Sequence, residues 1–160
     1  YSDSLIKNFK YVKEKEEYAV KIYCDRKVLL GCMGELSSEI ESLDKTIAAS
    51  SPGKAYLLKS KKTVLLEDEM DKICSEYGQK YYNEFSHMSV SANTANLLMK
   101  ESSGRRDTMI LNATFLVSNK SSGDFIKKAN NFAKEDVHIG FCVEATGPWP
   151  PFNFISIKEK

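Results

Sequence analysis

A mixed α+β domain is what this sequence predicts, and three observations predict it. Two stretches, residues 18–25 and 107–117, alternate apolar and polar side chains with the period of two that half-buried strands require. Between them, residues 27–85 carry apolar residues every three or four positions, the period of helices packed on one side. After the second strand the pattern returns once more to a helix and then to an apolar, β-rich run ending near Val143. The chain has 160 residues, 42% hydrophobic and 28% charged, which suits one domain with a real core.

Taken in order, residues 5–18 read as a helix with Leu5, Phe9 and Val12 on one face. In residues 18–25, Val20, Ile22 and Cys24 alternate with Ala19, Lys21 and Tyr23, giving a first strand. Residues 27–49 form a second helix, with Leu29, Met33, Leu36, Ile40, Leu43 and Ile47 as its stripe and Gly31 and Gly34 as weak points. Ser50, Ser51, Pro52 and Gly53 interrupt it, and Pro52 stands where a helix can begin. Residues 54–85 are the longest helical pattern, with Leu58, Leu66, Met70, Ile73, Tyr77, Tyr81 and Phe85 along one side. Residues 87–92 suit a short strand or a loop. Met109, Leu111, Ala113, Phe115 and Val117 mark one face of the next strand, and Asp124 is the expected N-cap of a helix bearing Phe125, Ala129, Phe132 and Ala133. Residues 137–143 are the expected last strand. This βαββαβ order is that of a ferredoxin-like domain with a long helical insert in its first crossover.

Composition narrows the function. Twenty-three basic residues against 22 acidic ones give no pull towards nucleic acid or an anionic membrane. No run of about 18 apolar residues occurs, and residues 1–5 lack the apolar core of a signal peptide. The four cysteines, Cys24, Cys32, Cys74 and Cys142, match no zinc or redox spacing and each lies in an apolar stretch, so buried reduced thiols in the cytosol are expected. No cofactor is implied, since phosphate-binding glycine loops and metal-ligand motifs are absent. On a strand, His138 and Cys142 would face the same side about 13 Å apart, too far for a nucleophile pair. RNA binding of the ferredoxin-like kind would need exposed aromatics among basic residues, whereas Phe115 and Phe141 share faces with aliphatic residues. A ferredoxin-like RNA-binding or small-ligand regulatory module is the alternative to the reading that follows.

The rarest segment is Gly147, Pro148, Trp149, Pro150, Pro151, Phe152, Asn153 and Phe154. Three prolines remove three backbone donors and restrict the residues before them, so the segment is stiff, extended and unfit for a central strand. It holds its aromatics with little entropy left to lose, which suits either docking to a partner or covering the domain's own core. Residues 1–146 are expected to form the domain and residues 147–160 a C-terminal tail.

This segment resembles the C-terminal signature of the gas vesicle protein F/L family, Gly-Pro-Trp-Pro-Pro-Tyr followed by a polar residue and Phe. Phe152 stands where Tyr is usual and lacks its hydroxyl. Three further stretches resemble the family in the same order: Glu17, Val20, Lys21 and Asp25; Gly53, Ala55, Tyr56 and Leu57; and Asn112, Ala113, Phe115, Leu116 and Val117. The resemblance implies a non-enzymatic accessory protein of gas vesicle assembly, cytoplasmic and vesicle-associated, that binds the hydrophobic shell protein and other accessory proteins. It also implies a modified ferredoxin-like C-terminal domain whose tail packs against a preceding domain, in keeping with the Met-less start. No nucleic-acid or membrane partner is expected; self-association through an uncovered tail is. The expected interaction residues are Trp149, Pro150, Pro151, Phe152, Phe154 and Tyr56.

Overall fold

The computed structural model describes residues 2–155. Helix α1 (Ser2–Val12) leads into strand β1 (Lys15–Cys24), followed by helices α2 (Arg26–Leu36), α3 (Ser38–Ala48) and α4 (Pro52–His87). Strand β2 (Ser91–Thr94), the short helix α5 (Lys100–Ser103), strand β3 (Thr108–Ser118), helix α6 (Ser122–Glu135) and strand β4 (Phe141–Trp149) follow. The strands form one antiparallel sheet in the order β2-β3-β1-β4, the arrangement that a ferredoxin-like βαββαβ chain produces.

One face of the sheet is the core. Tyr18, Val20 and Ile22 of β1 lie opposite Phe115, Ala113 and Leu111 of β3, and all six are buried. Tyr81 and Phe85 of α4 and Phe125 and Phe132 of α6 pack over them, with Phe85 within 5.0–5.6 Å ring-centre distance of Phe115, Phe125 and Phe132. Such tilted and edge-on contacts favour the aromatic quadrupoles. The buried Tyr81 hydroxyl donates to the Asp136 carboxylate. A second cluster gathers Cys24, Leu29, Met33, Ile40, Met70, Cys74 and Phe141 at the far end of the same layer. Gly78 lets α4 come down on the sheet there: a Cβ would sit 3.1 Å from the Ile110 carbonyl oxygen.

Several boundaries depart from the expectations, each for a local reason. The first helix ends at Val12, not at residue 18, because Glu14 turns the chain at φ 57° and Lys15 already pairs with Ser118. The expected helix over residues 27–49 is broken at Ser37, whose backbone is extended. Ser37 N–H closes α2 on the Met33 carbonyl, and its hydroxyl accepts from Ile40 N–H and donates to Glu69. Helix α6 begins at Ser122, so Asp124 lies in the first turn instead of capping it, where its charge still faces the positive helix end. Residues 137–139 are a 3-10 turn, not strand. Gly140 follows at φ 106°, and its carbonyl accepts from Asp25 N–H at 2.8 Å, which pins the turn against the end of β1. His138 is therefore outside the strand that carries Cys142, and the same-side spacing expected of the two does not arise. Cys24 and Cys74 are buried, but Cys32 and Cys142 are only half-buried.

Candidate docking surface

Among the described residues, the second face of the sheet carries no long helix. By alternation it presents Glu17, Ala19, Lys21 and Tyr23 from β1, Leu116, Thr114 and Asn112 from β3, and Glu144 and Cys142 from β4. Its two ends are closed by different devices. At one end Arg105 places its guanidinium carbon over the Tyr23 ring, 3.8 Å from its centre, and grips Asp107 with two bonds of 2.7 Å. That bidentate hydrogen bond holds the Asp107 carboxyl below the ordinary carboxylate range. Asn112, from one of the motif stretches, donates to the Asn96 carbonyl at 2.9 Å and ties the loop after β2 over the face.

A group whose folded pKa is depressed adds stability above the ordinary carboxylate range, and that stability is lost as pH falls through the folded value. Asp107→Asn is therefore expected to cost about 1 kcal/mol near neutral pH, a small figure because solvent reaches the pair. The gap between wild type and variant should close below about pH 4. Urea unfolding of both proteins at stepped pH measures it, and a gap that persists into strong acid would refute the assignment.

At the other end lies the proline-aromatic segment. Strand β4 runs through the expected 146/147 boundary to Trp149, which pairs with Glu17. Gly147 and Pro148, joined by a cis peptide bond, bulge against Tyr18. Gly147 has φ 135°, and a Cβ there would lie 2.8 Å from both the Glu17 carbonyl oxygen and Tyr18 Cδ1. The strand is at the sheet edge, a position where a proline such as Pro148 is tolerated. Trp149 Nε1 donates to Thr146 Oγ1 at 3.2 Å.

Beyond Trp149 the chain turns back across β1 in a 3-10 turn at residues 152–154. The anchor is Glu17, only 4% exposed. Its carboxylate accepts from Asn153 N–H at 3.1 Å and from the Asn153 side-chain amide, and Asn93 of β2 donates to the Asn153 carbonyl at 3.3 Å. Two separate sequence motifs thus meet through one residue of each, a pairing that neither motif announces alone. The only hint in the sequence is a Glu at the start of a strand otherwise read as half apolar.

The segment is tied down, yet its large side chains point away. Trp149 is 53% exposed and Phe152 75%, whereas Pro151 and Phe154 are half-buried and Pro150 is exposed. Helix α1 buries none of its residues and shows Leu5, Ile6 and Phe9 to solvent. Leu5, Asn8 and Phe9 meet Phe152 and Ile155 around an apolar hollow of about 270 Å³. The structure thus brings Phe152 together with α1, whose part in this surface helical periodicity alone did not single out, while Trp149, Pro150, Pro151 and Phe154 lie beside Phe152 in the same segment. It does not bring Tyr56 there: that residue, 73% exposed, stands on the N-terminal half of α4. Among the described residues no cluster of His, Cys, Asp and Glu could hold a metal, and no helix is long and apolar enough to cross a membrane.

The family model described as gas vesicle synthesis protein GvpL/GvpF matches residues 1–156. Among solved structures, the gas vesicle protein GvpF from Anabaena sp. PCC7120 superposes with a TM-score of 0.70 at 16% identity, covering 99% of this chain and 61% of that one. GvpF from Microcystis aeruginosa superposes with a TM-score of 0.62 at 15% identity, covering 98% of this chain and 61% of that one. At such identities the likeness establishes the fold. The chain spans 61% of the length of both structures. No curated protein matches it.

Proposed function

The chain belongs to the gas vesicle synthesis protein GvpL/GvpF family, and from that membership we propose that it is a non-enzymatic assembly factor of gas vesicles. It binds the hydrophobic shell protein and other accessory proteins in the cytoplasm while the shell nucleates or grows. Residues 1–146 supply the scaffold, and the tail from residue 147 onward supplies the contact.

The observation that supports this reading is the exposure of Trp149 and Phe152 on a segment held at both ends. Burying two such rings removes a large apolar area from water, and the ordering cost has already been met within the fold. Aromatic anchors on a rigid support are what the centre of an interface requires. The neighbouring apolar surface of α1 extends the patch.

The test is a pull-down of the small gas vesicle shell protein by this chain and by its Trp149→Ala/Phe152→Ala variant. Binding by the wild type and at least about tenfold weaker capture by the variant is expected, since each anchor is worth about 2 kcal/mol. Both substitutions are at exposed positions, so circular dichroism should be unchanged. Equal capture by both would move the contact off the tail. No capture by the wild type or by a full-length family protein would refute the functional reading itself.

A further inference from the structure

We propose that the N-terminal half of α4 is a second docking surface, built for an acidic amphipathic helix of a protein partner. The inference stands on charge and exposure and does not rest on the family reading. Residues 45–66 contain five lysines and no Asp or Glu, which leaves 18 basic against 22 acidic residues elsewhere. A near-neutral chain has thus concentrated positive charge on one projection.

That run forms the tip and the α4 arm of a helical hairpin whose α3 arm carries Glu39, Glu41 and Asp44, the last two paired with Lys45 and Lys62. Helix α4 has 36 residues, about 54 Å of helix. Its buried residues begin only at Met70. Before that point it packs along α3, joined by Lys62–Asp44 at 2.5 Å and by Ser37–Glu69 at 2.9 Å, contacts that run antiparallel. The surface is therefore preformed.

Two of the five lysines are already engaged, Lys45 with Glu41 and Lys62 with Asp44. Lys54, Lys59 and Lys61 form no ion pair among the described residues. Lys54, Leu57, Lys61 and Val64 succeed one another at spacings of three and four, so they share one stripe, and all are exposed. Tyr56 flanks the stripe. A row in which charge alternates with apolar surface is complementary to a helix that alternates carboxylates with apolar residues, and steering by the lysines would speed and select the encounter.

Other anions fit less well. The same stripe continues to the exposed Asp68, with Glu67 and Asp71 nearby, so an anionic membrane or a nucleic-acid backbone lying along α4 would meet repulsion within one further turn. A helix of a few turns crossing at residues 54–64 would not.

The probe is a fluorescently labelled helical peptide of about 18 residues carrying alternating Leu and Glu on one face, with a Leu/Lys counterpart as control; the readout is anisotropy. The acidic peptide should bind, more weakly as salt rises. Lys54→Glu/Lys61→Glu should weaken it at least tenfold, and Leu57→Ser severalfold. The charge-matched Lys127→Glu/Lys134→Glu pair on α6 should leave it unchanged. Equal binding of the lysine peptide, equal loss with the α6 pair, or binding only to phosphatidylserine vesicles would each overturn the proposal.

Discussion

Gly147→Ala is expected to lower stability by about 3 kcal/mol and to release the tail from the sheet. The backbone there is at φ 135°, a region that costs a side-chain-bearing residue on the order of 1–3 kcal/mol. Space adds to strain. A methyl group would meet the Glu17 carbonyl oxygen and the Tyr18 ring at 2.8 Å, and Tyr18 Cα at 3.3 Å. Tyr18 cannot retreat, because it is buried against Phe125 at 5.1 Å between ring centres. The relief available is to unpair β4 beyond Thr146, which removes the Trp149–Glu17 pairing. For a domain of this size the melting temperature should fall by roughly 6–12 °C. Thermal unfolding measures it, and a melting temperature within a degree or two of wild type would show that the bulge does not need glycine.

Asn153→Ala is expected to cost about 2 kcal/mol and to mobilise Trp149. It deletes the side-chain donor to a carboxylate that is almost wholly buried, and hydrogen bonds to charged groups contribute more than neutral ones. Asn153→Asp should be worse, since it sets a second negative charge against Glu17. Trp149 is the single tryptophan of the chain, so its fluorescence reports on this segment without interference. Lower anisotropy and a lower melting temperature are the expected signals, with the Asp variant below the Ala variant. Unchanged anisotropy in both would mean that the clasp does not hold the tail. Shell-protein capture should weaken in parallel if rigidity of the aromatics matters to binding.

Much of this architecture is written in local patterns. The alternation in Val20, Ile22 and Cys24 and in Met109 to Val117 identifies the two central strands because a sheet with one core face imposes period two. The stripe from Met70 to Phe85 identifies α4 for the corresponding helical reason. Pro52 marks the start of α4 because it needs no backbone donor there. The prolines of residues 148–151 mark a segment unfit for a central strand, and Pro148 does lie in the edge strand β4.

Other features depend on partners distant in sequence. Residues 13–17 are rich in Lys and Glu, good helix formers, yet Lys15, Glu16 and Glu17 enter the sheet because Ser118, Val117 and Leu116 pair with them. Residues 137–139 alternate like a strand, but contact between Gly140 and Asp25 turns them into a 3-10 corner. Ser37 divides one apolar helical stripe into two helices because its hydroxyl finds Ile40 and Glu69, and only the fold brings Glu69 there.

By itself, then, the sequence determined the α+β class, the two central strands, the long helix, the proline-aromatic segment and, through four ordered motifs, the family. Each of these is set by neighbours within a few residues, where covalent geometry and side-chain period act directly. Tertiary structure alone decided that Glu17 anchors Asn153, that α1 joins the tail in one apolar patch, and that the lysines of α4 stand on a separate arm. Those relations join residues as far apart as Leu5 and Ile155. Their energies exist only once the sheet has aligned the partners and excluded water between them.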